Sequence, residues 1–228
     1  MASVVIAAAG SSTRFGENKL LSAIGGKPLI VRTVQQFAPC DKIAEIIVAT
    51  RAQDIAFYQE LFKSHDLTVK VVEGGSERIL SIYNGAKAAC SDIILTHDGA
   101  RPLTPLWLIE DLIKAVEQHH AAMTAIMPTA TIKYAEADLI IQKSLPRQST
   151  WIAQTPQGFK RDLLLSAMHV AIEEKYFLAT DDSEIVALYG HKVKIVSGDP
   201  INIKVTVKSD LAIANALFLN ISLHSISF

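Results

Sequence analysis

Ser3-Val-Val-Ile-Ala-Ala-Ala-Gly-Ser-Ser-Thr-Arg-Phe-Gly16 passes from a short apolar run directly into a loop of small residues. A run of that length, ended by glycine and serine, reads as a buried strand feeding a loop. The same pattern recurs along the chain. Glu45–Thr50, Leu67–Val72, Asp92–His97, Met123–Met127 and Lys192–Val196 are further strand candidates. Segments of helical period alternate with them. Leu29, Ile30, Val34 and Phe37 follow Pro28, which suits a first helical turn. Asp54–Phe62 is helical. Ile79, Leu80, Ile82, Tyr83 and Ala86 fit a helix opening after Gly74-Gly75-Ser76. Thr104 reads as an N-cap with Pro105 at the first helical position, before Ile109, Leu112, Ile113 and Val116. Arg161–Lys175 and Asp181–Leu188 are helical, the latter ended by Gly190, and Ser209–Leu217 closes the series. Such alternation predicts an α/β fold: a Rossmann-like, mostly parallel sheet with helices on both faces.

One stretch breaks the pattern. From about 129 to 156 the chain is more polar. Its short strand candidates, Leu139-Ile-Ile and Trp151-Ile-Ala, have no helix between them. This segment reads as a β-arm projecting from the main sheet. The expected organisation is a single domain over 1–220 that carries this arm, with 221–228 as a tail; Asn220–Phe228 is expected to fray.

The 228 residues are 50% apolar and 20% charged, enough to bury a sizeable core and to exclude global disorder. With 22 Lys+Arg against 23 Asp+Glu, the formal charge of −1 supplies no field to attract nucleic acid and no polybasic block for a membrane. Val4–Ala9 is far too short to span a bilayer, and with no charged n-region before an apolar h-region a secretory signal is not expected. Cys40 and Cys90 lack metal-type spacing, so neither a zinc site nor a disulfide framework is expected, and a reducing cytoplasm is the natural compartment.

In an open parallel sheet, ligands bind beyond the carboxyl ends of the strands. The loop from Ala8 to Gly16 lies there. Its small residues let backbone N–H groups approach a phosphate, and Arg14 and Lys19 add positive charge. An ordinary turn with solvated cations has the same composition. The loop matches neither familiar phosphate fingerprint: Glu17-Asn18 follows Gly16 where a P-loop needs lysine, and Ser12 stands where the dinucleotide pattern needs glycine. A dinucleotide-dependent oxidoreductase therefore rests on fold alone, which does not fix function.

Ala7–Gly16, followed by Asn18-Lys19 and Gly26-Lys27-Pro28, resembles the opening signature of sugar-phosphate nucleotidyltransferases. Later blocks narrow the resemblance. They are Gly74-Gly75-Ser-Glu-Arg78 with Ser81–Gly85, His97–Pro102, Thr131-Ile-Lys133, Arg147, Gln154–Phe159, Ala179–Asp182 and Asn202–Thr206. In that order they are similar to the 2-C-methyl-D-erythritol 4-phosphate cytidylyltransferase family, from about Val4 to Leu217. Three positions, in two places, depart from the family's pattern. Asn18 and Leu20 flank Lys19 where proline and glutamine are usual, and Ala130 stands where aspartate is usual.

The resemblance implies that the phosphate of methylerythritol phosphate joins the α-phosphorus of CTP and expels pyrophosphate. A phosphate nucleophile is already anionic, so the demand falls on charge neutralisation and in-line placement rather than on a general base. By resemblance, Arg14 and Lys19 are the catalytic cations. Arg147 and Lys204 hold the acceptor phosphate, with Asp98, Arg101, Thr131 and Thr180 around the same substrate. Ala8, Ala9, Gly10, Gly74, Gly75 and Ser81 match the nucleotide-binding stretches, although Gly74-Gly75-Ser76 also reads as a turn and helix cap. Lys27 reads equally as a phosphate-proximal or a structural group. Asp98 can ligate Mg²⁺, accept from a substrate hydroxyl, or pair with Arg101 and only shape its loop. His97 reads as structural. Mg²⁺ is expected mainly as a bridge between CTP phosphates. The arm of one subunit is expected to complete its partner's site, which implies a homodimer. The alternatives are a ribitol 5-phosphate cytidylyltransferase and a catalytically silent nucleotide-binding domain.

Overall fold

The computed structural model describes residues 1–10, 15 and 18–225. Arg14 lies outside the described residues. The chain runs β1 (Ala2–Ala7), a 3-10 turn (Lys19–Leu21), β2 (Ala23–Ile24), β3 (Lys27–Pro28), α1 (Leu29–Phe37), β4 (Ile43–Thr50), α2 (Ile55–Lys63), β5 (Lys70–Glu73), α3 (Arg78–Ala88), β6 (Ile93–Asp98) and α4 (Leu106–His119). It continues through β7 (Ala121–Ile126), β8 (Lys133–Ala135), β9 (Ile141–Ser144), β10 (Ile152–Lys160), α5 (Arg161–Glu173), α6 (Asp182–Leu188), β11 (Lys194–Ser197) and α7 (Lys208–Ser225).

Seven strands form one sheet in the order β11-β7-β10-β6-β1-β4-β5. β10 runs antiparallel to both of its neighbours, and the remaining pairs are parallel. Successive residues of a strand face opposite sides, which divides the core in two. Val4, Ile6, Val48 and Leu95 pack with side chains of α1, α2, α4 and α7; Val5, Ile47 and Ile94 pack with those of α3, α5 and α6. The sheet is therefore covered on both faces, as its apolar runs require. Gly85 brings α3 close to the sheet, since a Cβ there would lie 2.3 Å from Val5 Cγ1. That close approach sets the amino end of α3 beside the end of β1.

Several local expectations are corrected. Pro28 ends a two-strand ribbon, and α1 starts at Leu29. The strand expected at Leu67–Val72 forms at Lys70–Glu73. Pro105, not Thr104, takes the cap position of α4, because the buried Thr104 hydroxyl is committed to Asn202 Oδ1 at 3.1 Å. The projecting hairpin is β8–β9, whereas Ile152 and Ala153 belong to the main sheet, opposite Ile126 and Ala125. Pro156 made β10 hard to foresee, since proline cannot donate to a ladder. It sits where the β10–β7 register shifts, between Ala153 and Gln157. Beyond Asn220, α7 continues to Ser225, and residues 226–228 lie outside the described residues.

α7 also clamps the ribbon that follows the 3-10 turn. Asn215 accepts from Gly25 N–H at 3.0 Å and donates to Ala23 O at 3.1 Å. Arg32 donates to Ile24 O and Gly25 O at 2.9 and 2.6 Å, and its guanidinium lies 4.2 Å from the Phe218 ring centre. Among the described residues no helix is long and apolar enough to cross a membrane.

Candidate active site

A cavity of about 410 Å³ opens at the carboxyl ends of β1 and β6, within the size range of small-molecule sites. Ala8, Ala9 and Gly10 form one wall; Lys19, Gly75, Arg78, Ser81, Asp98 and Lys204 also line it. A second cavity of about 200 Å³ adjoins it, lined by Arg101, Gln154, Thr155 and Thr180. Arg78, Asp98 and Lys204 border both, so the boundary between the two is charged.

Asp98 stands at the centre of that boundary. Its Oδ1 accepts from Arg78 Nε at 3.2 Å and its Oδ2 from Lys204 Nζ at 2.8 Å, while Arg101 Nε lies 3.6 Å from Oδ2. Burial alone would raise the carboxyl pKa. Arg78, Lys204 and Arg101 overcome that and hold it well below the ordinary carboxylate range. Burial opposes the charge on Arg78 in the same way, but Asp182 and Asp98 prevail and raise its pKa. Arg78 Nη1 donates to the buried Asp182 at 2.7 Å, which ties the start of α3 to the start of α6.

Arg78 and Lys204 thus each pair with one oxygen of Asp98. No group of three His, Cys, Asp or Glu that could hold a metal occurs among the described residues.

Lys19 is set in the 3-10 turn, where Asn18 Oδ1 accepts from Leu20 N–H at 3.2 Å and Leu20 is buried. Asn18 and Leu20, two of the three residues that depart from the family's pattern, are therefore the cap and the anchor of this turn. Asp210 at the start of α7 has its pKa lowered by the Thr206 hydroxyl, opposed by burial, with Lys19 adding a smaller effect in the same direction. Gly74 sits behind the larger cavity: a Cβ there would lie 2.8 Å from Ser81 Oγ and 3.1 Å from Ala9 Cβ. Gly75 N–H donates to Ser81 Oγ at 3.0 Å, so the turn and the cavity wall are the same structure. Thr180 donates to Glu184 at 3.0 Å.

Other expected site residues lie elsewhere. Lys27 lines neither cavity, because its strand pairs with β2. Thr131 and Arg147 are exposed in the arm segment and line neither cavity of their own chain. Sequence reasoning assigned no role to Arg78, Thr155 or Asp182. The position of Arg78 directly after Gly74–Glu77, opening a helix at the strand ends, was the available signal.

His97 is wholly buried, with Phe37 edge-on at 4.9 Å between ring centres and Asp98, Arg101 and Arg78 as its charged neighbours. Burial lowers its pKa to about 3, against partial opposition from Asp98. An unfolded histidine titrates near 6.5, so between about 6.5 and 3 the unfolded chain binds the extra proton. The stability that this histidine contributes is complete above that window and is lost as pH falls through it, at up to about 1.4 kcal/mol per pH unit. Urea unfolding of wild type and His97→Gln between pH 7 and 4 is expected to show the shallower decline in the variant. Parallel slopes would refute a neutral buried imidazole.

The model of the 2-C-methyl-D-erythritol 4-phosphate cytidylyltransferase family matches residues 2–220. A protein of that name from Caldanaerobacter subterraneus is 42% identical over 95% of this chain and 98% of its own length. One from Geobacillus kaustophilus is 36% identical over 93% and 95%. Among solved structures, the 4-diphosphocytidyl-2C-methyl-D-erythritol synthase of Anaerococcus prevotii superposes with a TM-score of 0.80 at 31% identity, covering 94% of this chain and 96% of that one. The cytidylyltransferase of Thermus thermophilus also gives 0.80, at 30% identity over 95% and 98%. On a match that spans the sheet, both cavities and all the elements that bear them, the chain belongs to the 2-C-methyl-D-erythritol 4-phosphate cytidylyltransferase family.

Proposed function

We propose that this chain transfers the cytidylyl group of CTP to 2-C-methyl-D-erythritol 4-phosphate, releasing pyrophosphate, in the synthesis of isoprenoid precursors. The observation that carries the reading is the pair of adjoining cavities with Arg78 and Lys204 on their shared boundary, in a chain that matches the family from residue 2 to 220. The larger cavity takes the nucleotide, with Ala8, Ala9 and Gly10 offering backbone to the phosphates and Gly75 and Ser81 walling the base. The smaller takes the polyol phosphate against Arg101, Thr180 and Lys204. An oxygen of the acceptor phosphate attacks the α-phosphorus, and the bond to the β-phosphate oxygen breaks, so pyrophosphate leaves with both electrons of that bond. No general base is needed. Lys19 and Arg14 neutralise the charge that grows on the leaving group. Asp98 holds Arg78 and Lys204 at the junction and has lone pairs left for a substrate hydroxyl. Mg²⁺ arrives as part of the CTP complex, as substrate rather than as a resident metal.

The functional unit in this reading is a homodimer in the cytoplasm. Tyr134, Leu139, Ile140, Ile141 and Ile152 expose apolar surface in and beside the arm. An exposed patch of that kind favours a protein partner. A second copy would cover it and bring its arm, with Thr131 and Arg147, to the smaller cavity. Mixing Arg147→Ala with Lys204→Ala is expected to restore part of the activity, because one site of each mixed dimer is then intact. No recovery despite subunit exchange would contradict the shared site.

Pyrophosphate release tests the reaction. Turnover is expected with CTP and methylerythritol phosphate; turnover with ribitol 5-phosphate alone would reassign the acceptor, and none with either would refute the reading. The clamp on the Lys19 ribbon gives a second test. Asn215→Ala is expected to lower kcat severalfold with unchanged far-UV circular dichroism, although Asn215 lines neither cavity. Wild-type kcat would show that the ribbon does not position Lys19.

A further inference from the structure

Behind the smaller cavity, buried polar groups close into a ring of hydrogen bonds whose directions can be assigned. Asp98 N–H donates to Thr155 Oγ1 at 3.1 Å, and the same oxygen lies 3.0 Å from His97 Nδ1. Nε2 faces Thr104 Oγ1 and Arg101 O, each at 3.3 Å. The Thr104 hydroxyl donates onward to Asn202 Oδ1 at 3.1 Å. A carbonyl only accepts and the Thr104 hydrogen is committed, so Nε2 carries the ring proton, and in the neutral imidazole that burial favours, Nδ1 accepts from the Thr155 hydroxyl. Asn202 Nδ2 donates to Thr155 O at 2.7 Å and completes the circuit. A carbonyl can only accept, so this last contact fixes the orientation of the Asn202 amide. His97, Thr104 and Asn202 are wholly buried, and Thr155 nearly so.

Each branch from the ring leads to a residue that lines a cavity. Asp98 is attached through its own N–H. Arg101 is attached twice, by its carbonyl to His97 and by Nη1 to Asn202 O at 2.7 Å. Gln154 Nε2 reaches the same Asn202 carbonyl at 3.3 Å. Asn202 also anchors the short segment that carries Lys204. Removing one member would leave a buried partner unsatisfied and release more than one of these branches.

We infer that His97, Thr104 and Asn202 are positioning residues, acting through a neutral, Nε2-protonated His97, that hold Arg101 and Lys204 in register with Asp98 for the acceptor phosphate. None of the three touches substrate in this arrangement. The kinetic part of the inference rests on the cytidylyl-transfer reading; the tautomer does not.

Two measurements test it. Long-range ¹H–¹⁵N spectra of the full chain labelled in histidine, with the resonance assigned by its loss in His97→Gln, are expected to show the Nε2-protonated neutral form at pH 7 and unchanged at pH 5. A Nδ1-protonated or doubly protonated ring would overturn the circuit, whatever the kinetics. Thr104→Val, which keeps shape but loses the hydroxyl, is expected to lower kcat/KM for the polyol phosphate by about tenfold, with the CTP KM nearly unchanged. Thr104→Ser, which keeps the hydroxyl, is expected to restore most of it. Equal losses in both variants, or equal effects on both substrates, would mean a structural role only and overturn the positioning claim. If Thr104→Val does not fold, the wild-type spectrum still decides the circuit, and wild-type activity of Thr104→Ser is required. Absence of turnover by the wild-type chain overturns the cytidylyltransferase reading and the kinetic role together, while the spectrum judges the ring alone.

Discussion

Lys19→Ala is expected to lower kcat by about a hundred- to thousandfold while the CTP KM changes far less, the usual loss when a well-placed group stops meeting charge that develops in the transition state. Lys19 lines the larger cavity from a turn capped by Asn18 and anchored by buried Leu20. In the proposed reading, ground-state CTP is also held by the backbone of Ala8–Gly10 and by the wall at Gly75 and Ser81, which line the same cavity. Charge accumulates on the leaving pyrophosphate only as the α–β bond breaks, so the ammonium matters most at that point. Initial-rate kinetics over a range of CTP and acceptor concentrations separate the two constants. An unchanged kcat with a raised KM would make Lys19 a binding group only.

Asp98→Asn is expected to cost about 3 kcal/mol of folding stability, near the low end for breaking a buried ion pair. The low end applies because the side chains of Arg78 and Lys204 keep 30% and 41% of their exposure, so water screens part of the unpaired charge. The substitution keeps the shape and removes the one charge against which three cations are arranged. Activity is expected to fall with it, since Lys204 and Arg78 then repel each other across the boundary of the two cavities. Urea unfolding at pH 7 measures the stability. Lys204→Met combined with Asp98→Asn should cost less than the sum of the single changes, because the pair is coupled. The wild-type contribution is full above the unfolded carboxyl pKa of about 3.9 and is lost as pH falls below it, since the folded pKa is depressed. Strict additivity would show that the carboxylate and the lysine do not interact.

What the sequence made legible followed from periodicity. Apolar runs such as Val4–Ala7 and Ile46–Ala49 are buried strands because nothing else can hide them, and the helices between them had to cover both faces. β10 was obscured because its interior is Gln154, Thr155, Pro156, Gln157 and Gly158, residues that ordinarily argue against a central strand. They are tolerated because their polar groups find partners from distant segments: Gln157 Oε1 accepts from Ser183 N–H at 2.9 Å, and Thr124 donates to Pro156 O at 2.9 Å. No local pattern encodes those pairings. Arg78 was obscured for the same reason, since its partner Asp182 lies 104 residues away. The loop chemistry at Ala8–Gly10 and Lys19 was readable because it sits immediately beyond a strand end, where ligands bind in such sheets. Thr131 and Arg147 are exposed in the arm segment and line neither cavity of this chain.

Direct joining of two phosphates at the junction of the cavities is the step on which every assigned role depends. The most direct measurement is a single turnover with CTP and methylerythritol phosphate whose three non-bridging phosphate oxygens are ¹⁸O, followed by mass spectrometry of both products. Direct attack on the α-phosphorus predicts a cytidine diphosphate product that carries all of the label, one atom of it in the new bridge, and pyrophosphate that carries none. Label in the pyrophosphate, or an unlabelled bridge, would contradict the account.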